Sequence, residues 1–518
     1  MTPRTLLLVV TLCGALTLEA TAQSQVWVKR YKGPGSSYDQ AVDLAVDQAG
    51  NVYVTGFTGD GSPSHDIVTI KYSAGGDELW LARYDGPQPM DDDRPVAIGL
   101  DDAGNVYVAA TTRAGENTAD WVTIKYDSGG TRQWAAIYDG PAHRNDSARA
   151  LAVDSDGDAY VTGAEIQGDH SSRCLTIKYD PSGNQAWVRR FSEGVSSHGI
   201  DIALDRAGDV VVLSTGQGGQ SSAYVTIKYA ADGQQSWVQR YDTPEGDEPV
   251  ALVVDHVDDV VVTGYSKFGF ATVKYTSEGL QQWVREYGSF QGTTPAALAA
   301  DYNDNIVVTG YTNVGDWVTI KYKRNGNQLW VATFNGEVDR QDRPSALATD
   351  DAGNTYVTGR TSTLRSAEDI LTIKYDPEGN EVWTVSYNGR GNDYDDAVAV
   401  ATHPSGYVYV TGHSEGRVSN FDFATIKYTQ SAECRGNTRL NVNCFLRCRD
   451  GRQHVQAKVT ADLPEGTELT LLLDDGDPQV VSLRRRGKAK ANWIDVASGI
   501  HVVKIVECDL SEEANCCG

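Results

Sequence analysis

The sequence predicts an all-β chain: an eight-bladed β-propeller followed by a small disulfide-bonded β-sandwich. Three observations predict it. Tryptophan recurs at Trp27, Trp80, Trp134, Trp187, Trp237, Trp283, Trp330 and Trp383, every 46 to 54 residues. Each interval holds four short apolar, β-branched or aromatic segments bounded by Gly, Asn and Asp, the pattern of antiparallel strands joined by tight turns. The last 90 residues abandon the repeat and hold six of the 8 cysteines.

Composition agrees. The 518 residues are 40% hydrophobic and 22% charged, enough for a large core and too polar for a membrane protein. Glycine is abundant at 52 and proline scarce at 16. Lys+Arg is 45 against Asp+Glu 70, a net charge of −25. Nucleic-acid binding needs a basic surface that displaces counterions, so this balance speaks against it.

Residues 1–22 read as a signal peptide: Arg4, an apolar run from Leu6 to Leu18, and Ala20-Thr21-Ala22 before the expected start at Gln23. That run is too short to span a bilayer, and no later stretch is apolar enough to do so. The expected location is therefore secreted, periplasmic or at the cell surface.

Residues 23–428 are expected to form the propeller. Its motifs are an apolar run ending near Asp (Ala41–Asp47), Asn51-Val52-Tyr53-Val54-Thr55-Gly56, Thr69-Ile70-Lys71-Tyr72, and the Trp segment, as in Trp27-Val28-Lys29-Arg30-Tyr31. Four strands cannot bury both faces alone; arranged radially, each sheet packs on its neighbours. These motifs resemble the SBBP-type bacterial β-propeller repeat. The resemblance implies the fold and a bacterial source, and implies little about activity.

Turn chemistry sets the strand order. Asp47-Gln48-Ala49-Gly50-Asn51 and Asp180-Pro181-Ser182-Gly183-Asn184 both suit a type I turn closed by a left-handed Gly. Each blade is then an innermost apolar strand (A), the Val-Tyr-Val strand (B), the Ile-Lys-Tyr strand (C) and an outermost Trp strand (D). The chain opens with a lone D strand and closes its repeats with A, B and C, so the first strand is expected to complete the last blade. The A–B and C–D turns share one face. The longer B–C and D–A connections share the other, which is the expected working surface. Between strand-B Gly and strand-C Thr, the connections hold 12, 12, 12, 11, 7, 8, 12 and 12 residues, or the equivalent positions where those residues differ. A notch is expected near Tyr265–Ala271 and Tyr311–Val318.

Residues repeated in every blade are expected to be structural. The eight Trp should pack between blades. The strand-C lysines, Lys71 to Lys427, should run their stems along the sheet towards a carboxylate or the rim. An acidic set is the candidate ligand site. Asp39, Asp93, Asp146, Asp247, Asp342 and Asp395 enter strand A from the long-loop face and are expected to ring the channel mouth, with Arg94 and Arg343 beside them. One reading is that each caps a loop. The other is a cation site, with calcium held by Asp39, Asp93, Asp146 and Asp395, because hard cations prefer clustered oxygens.

No His-Glu-x-x-His motif and no phosphate-binding glycine loop appears. The histidines are scattered through loops. Residues 429–518 should form the Cys-rich sandwich. Cys434, Cys444, Cys448, Cys508, Cys516 and Cys517 are its disulfide candidates, with pairing left open. The leading expectation is an exported binding or scaffolding protein that meets a glycan or protein on the long-loop face. The alternative is an extracellular carbohydrate-active lyase or hydrolase using acids of that face.

Overall fold

The computed structural model describes residues 25–429, apart from connections at 35–37, 60–63, 88–91, 114–117, 219–220, 245, 289–291, 339–341, 364–366 and 417–419. Beyond 438 it describes the backbone of seven strands. The signal segment and the side chains of the six tail cysteines lie outside the described residues. No helix among the described residues is long and apolar enough to cross a membrane.

Residues 25–429 form eight four-stranded antiparallel sheets. Blade 1 runs Asp39–Val46 (A), Val52–Gly59 (B), His65–Tyr72 (C) and Glu78–Tyr84 (D). The order repeats in blades whose A strands begin at Arg94, Ser147, Gly199, Glu248, Thr293 and Arg343. Blade 8 takes A, B and C from Asp395–His403, Tyr407–Glu415 and Phe421–Thr429, and its D strand from the start of the chain, Gln25–Tyr31. There Val28 pairs with Ile426 and Tyr31 with Phe423. Neighbouring A strands touch all the way round, from blade 1 through blade 8 and back to blade 1. The ring closes as the sequence predicts, and closure removes free sheet edges.

The turns form for the expected reason. Asp47 Oδ1 accepts the N–H groups of Ala49 (3.0 Å) and Asn51 (2.9 Å), and Gly50 closes the turn at φ 77°. The C–D turns also seat the tryptophans. Trp134 Nε1 donates to Pro181 O of the next blade at 3.0 Å, and a Cβ on Gly183 (φ 87°) would stand 2.7 Å from its ring. Seven of the eight tryptophans dock this way, with N···O distances of 2.9–3.2 Å.

On the same face, the second residue of strand B decides what the strand-C lysine does. Where it is Tyr (in blade 8 the third residue, Tyr409), the ring carries the lysine; the hydroxyl donates to the Asp that follows strand A in blades 1, 2, 3 and 7, and to Gly50 O in blade 8, where His403 replaces that Asp. Lys71 Nζ lies 4.7 Å from the Tyr53 ring centre, and Tyr53 OH is 3.0 Å from Asp47 Oδ2. In blades 4, 5 and 6 that residue is Val211, Val261 or Val307, and the lysine reaches the Asp directly. Lys228–Asp205, Lys274–Asp255 and Lys321–Asp301 stand at 2.7, 2.6 and 2.7 Å. The Lys274 and Asp255 side chains have no exposed surface.

The tail strands fall into two antiparallel sheets. Arg439–Leu446, Gln453–Thr460 and Lys488–Ile494 form one. Gln479–Ser482, Glu468–Leu473, Gly499–Ile505 and Leu510–Cys516 form the other, in that order.

A buried ion pair broken on one side leaves a naked charge. Lys274→Met is expected to cost about 3–5 kcal/mol in denaturant unfolding. Lys71→Met, which loses a cation–aromatic contact, is expected to cost ~1 kcal/mol. The double variant Lys274→Met/Asp255→Asn should recover most of the larger loss; equal costs at the two lysines would overturn the distinction.

Candidate functional site

The six aspartates do not line an open mouth. All are 0–1% exposed, and each fastens the connection that enters its blade. Asp39 Oδ2 accepts Gly33 N–H at 2.7 Å, and its Oδ1 accepts the Thr58 hydroxyl at 2.5 Å. Asp93 holds Gly86 N–H (2.6 Å) and the Thr112 hydroxyl. Asp146 holds Gly140 and Ile166 N–H; Asp342 holds Gly336 and Ser362 N–H and the Thr361 hydroxyl. Asp247 takes both groups of Thr243, and Asp395 takes Gly389 N–H at 2.6 Å. Each carboxylate thus serves its own seam, because it satisfies donors on the D–A connection beside it.

Two of the six also meet other acids. Asp66, Asp85 and Asp93 bring one carboxylate oxygen each to within 4.8 Å of one another, and so do Asp120, Asp139 and Asp146. The trios occupy equivalent places: strand C, the end of strand D, and the entry to the next strand A. Backbone bonds set them, Asp93 N–H to His65 O (2.8 Å) and Asp146 N–H to Ala119 O (2.7 Å). Asp85 is exposed, so the first trio opens to solvent on one side; Asp139 is one-third exposed, and His143 Nδ1 stands 2.5 Å from its Oδ2 on the outer side of the second. Burial and the neighbouring Asp85 and Asp66 charges push Asp93 up to about 6. At the blade 8–blade 1 seam the corresponding residues are Asp422, Lys32 and Asp39, and Arg30 sits 3.0 Å from Asp422. There the protein supplies its own cation. Asp39 and Asp395 belong to neither trio.

Arg94 is 47% exposed, 2.9 Å from Asp92 Oδ2, with its guanidinium 4.4 Å from the Phe57 ring centre. Arg343 lies 5.1 Å over the Tyr311 ring. It belongs to a mixed cluster between blades 6 and 8 that sequence reasoning missed, since its members are contributed by three repeats. Arg360 reaches Glu368 Oε2 at 3.2 Å and Asp396 Oδ2 at 3.1 Å. Burial pushes Asp396 up to about 6 and His413 down to about 4. Burial also raises Glu368, with Arg360 and Arg343 opposing it. The only sequence signal was negative: these positions differ from blade to blade.

Gly412–Gly416 fits a Gly-x-Ser-x-Gly pattern, which in hydrolases places Ser on a sharp strand-to-helix turn. Here it runs along strand B of blade 8. Ser414 has no exposed surface and its Oγ accepts a bond from Arg30 at 2.7 Å, so it presents no nucleophile.

The fold class is thus an eight-bladed β-propeller with its distinctive residues on the long-loop face. Residues 26–60 match the SBBP beta-propeller repeat. No curated protein matches the chain. Solved structures similar in fold include polysaccharide lyase Uly1 (12% identity, TM-score 0.43, 64% of this chain and 89% of that one). BP39L lectin from Burkholderia pseudomallei is also similar (11%, 0.42, 67% and 99%). So is prolyl oligopeptidase B from Galerina marginata (10%, 0.44, 84% and 57%).

Four carboxyls, Asp43, Asp93, Asp201 and Asp396, are pushed up to about 6, chiefly by burial. A folded-state value above the unfolded one stabilises below the unfolded value and is lost as pH rises through the folded one. Each contributes up to about 3 kcal/mol. The melting temperature is expected to fall between pH 4 and 7.5. Asp201→Asn, which keeps an acceptor for Leu252 N–H (2.8 Å in the parent), should flatten that fall. A melting temperature that rises over the same range in both proteins would contradict this.

Proposed function

We propose that this is an exported binding or scaffolding protein whose glycan or protein ligand meets the long-loop face, with calcium held at the trios containing Asp93 and Asp146. The observation that carries the reading is the coincidence of three carboxylates from three strands at two successive seams. A divalent cation suits oxygen donors that repel one another, and it would leave coordination positions open on the exposed side for ligand hydroxyls or carboxylates. Arg94, exposed beside the first trio, supplies a cation with a planar donor fork for the same ligand. Asp39, Asp247, Asp342 and Asp395 serve by fixing the connections that carry this surface. The tail completes the reading as a sandwich of its two sheets, cross-linked among its six cysteines, a composition suited to an oxidising exterior.

Calcium is expected to raise the melting temperature by several degrees over the chelated protein, since a ligand bound only to the folded state stabilises it. Asp85→Asn/Asp139→Asn, which changes only the more exposed member of each trio, should abolish the increment while folding normally. The same melting temperature in calcium and in chelator would sink the cation reading.

A further inference from the structure

One rung of the propeller is used by none of the repeated devices. It is the strand-B residue two beyond the residue aligned with Thr55, paired across to the first turn of strand A. Round the ring from blade 1 it reads Phe57, Thr111, Ala164, Thr215, Tyr265, Tyr311, Arg360, His413. The pairings place it at the long-loop end: Glu248 opposite Tyr265, Thr294 opposite Tyr311, Arg343 opposite Arg360, Asp396 opposite His413. Blades 2 to 4 have small residues there, and blades 5 to 8 have large ones with polar ends.

The same arc includes the two shortest B–C connections, those of blades 5 and 6. Strands B and C of blade 5 meet at Ser266–Gly269 across a two-residue turn, and those of blade 6 across a short turn from Tyr311 to Trp317. Blade 4 beside them carries nine-residue B and C strands that stand as a wall. The low connections leave Tyr265 and Tyr311 half-buried. Beyond them Arg343 stacks on Tyr311, and Arg360 joins Glu368 to Asp396. Within this cluster Asp396 Oδ1 and His413 Nδ1 have no hydrogen-bond partner among the described residues, although both atoms are buried.

We propose that this arc binds a neutral saccharide chain, with its sugar rings on Tyr265 and Tyr311 and its hydroxyls on Arg360, Asp396 and His413. The chemistry selects that class. The Arg360 guanidinium is already matched by Glu368 and Asp396, so an anionic ligand finds it taken. Vicinal hydroxyls can donate to Asp396 Oδ1 and accept from a guanidinium N–H at once, and His413 Nδ1 takes or gives a further bond according to its tautomer. Aromatic faces receive the C–H faces of a pyranose ring and bury apolar area without ordering a long side chain. This inference names the ligand of the binding reading above and rests on that reading.

The test is affinity electrophoresis of the whole protein, with calcium, through gels holding soluble starch, laminarin, galactomannan or polygalacturonate. At least one neutral polymer should retard it. Tyr311→Ala and Asp396→Asn should each weaken retardation at least tenfold, while Tyr311→Phe and Thr111→Ala should keep it. Circular dichroism melting confirms that each variant folds. No retardation by any neutral polymer, retardation by polygalacturonate alone, or undiminished retardation of both Tyr311→Ala and Asp396→Asn overturns the proposal. Retardation that survives those variants but is lost in Asp85→Asn/Asp139→Asn overturns this arc and leaves the long-loop reading standing. A calcium-dependent melting shift reports on the trios independently of any polymer.

Discussion

The propeller depends on one contact made seven times: an indole from strand D of one blade seated on the C–D turn of the next. Two requirements meet in it. The Nε1–H needs an acceptor because the indole is largely covered, and the turn carbonyl provides one at 2.9–3.2 Å. The ring needs a flat seat, and only glycine gives it. Gly183 stands in the left-handed region, and a Cβ there would collide with Trp134. The residue that shapes the turn within one blade therefore also sets the spacing to the neighbour. Local and global preferences agree at the same residue, which is how a repeat array avoids alternative packings. Trp383 is the exception that locates the seam. Its partner turn would join strands C and D of blade 8, and those strands come from opposite ends of the described propeller. It keeps the packing between two tyrosines that Trp80 and Trp134 also have, here Tyr356 (5.9 Å) and Tyr428 (6.4 Å), without the bond to a turn carbonyl.

This architecture also accounts for much of the acidity. A net charge of −25 invites a search for bound cations, yet most aspartates at repeated positions serve the backbone. On one face Asp47, Asp101, Asp154, Asp205, Asp255, Asp301 and Asp350 accept turn N–H groups. On the other, six aspartates hold the D–A connections. A carboxylate suits both tasks because it accepts several N–H bonds at once, and such bonds offset its desolvation. Blades 5 and 6 extend the theme. Asp258 and Asp304 replace the turn glycine at φ 66° and 59°, and each carboxylate accepts an N–H from the preceding blade, Arg206 and His256. The side chain repays the left-handed strain with a bond that glycine cannot make.

The blades, their strand order and the closing strand were legible in the sequence because each is a local pattern repeated at a fixed interval. What a repeated residue touches was less legible. Periodicity put the six aspartates at one end of strand A, and their burial followed from connections whose path no periodicity encodes. The trios were hidden for a related reason. Asp66, Asp85 and Asp93 are 19 and 8 residues apart in the chain and converge only because blade 2 begins where blade 1 ends its fourth strand. The trade between tyrosine and a buried lysine–aspartate pair was visible as Val211, Val261 and Val307, but its meaning needed the distance from Lys to Asp.

Repetition and function then occupy different atoms of the same strand. Strand B gives Tyr or Val at its second residue to the lysine network, and in six of the eight blades gives Thr at its fourth to a hydroxyl pair with strand C, as in Thr55–Thr69 at 3.3 Å; in blade 8, whose strand starts one residue earlier, the positions are the third and fifth. In every blade but blade 4, where Ser214 stands, the next residue is Gly or Ala. At most of these a Cβ would meet neighbouring backbone, at 2.8 Å from Ala41 Cα in the case of Gly56. Those positions are held by packing common to the blades. The sixth residue (the seventh in blade 8) stands at the long-loop end and is only half-buried in blades 5 to 8. A substitution there changes what the surface offers without loosening the ring. There the eight copies range from alanine to arginine, and a recognition surface on such a scaffold can vary there with little cost to the fold.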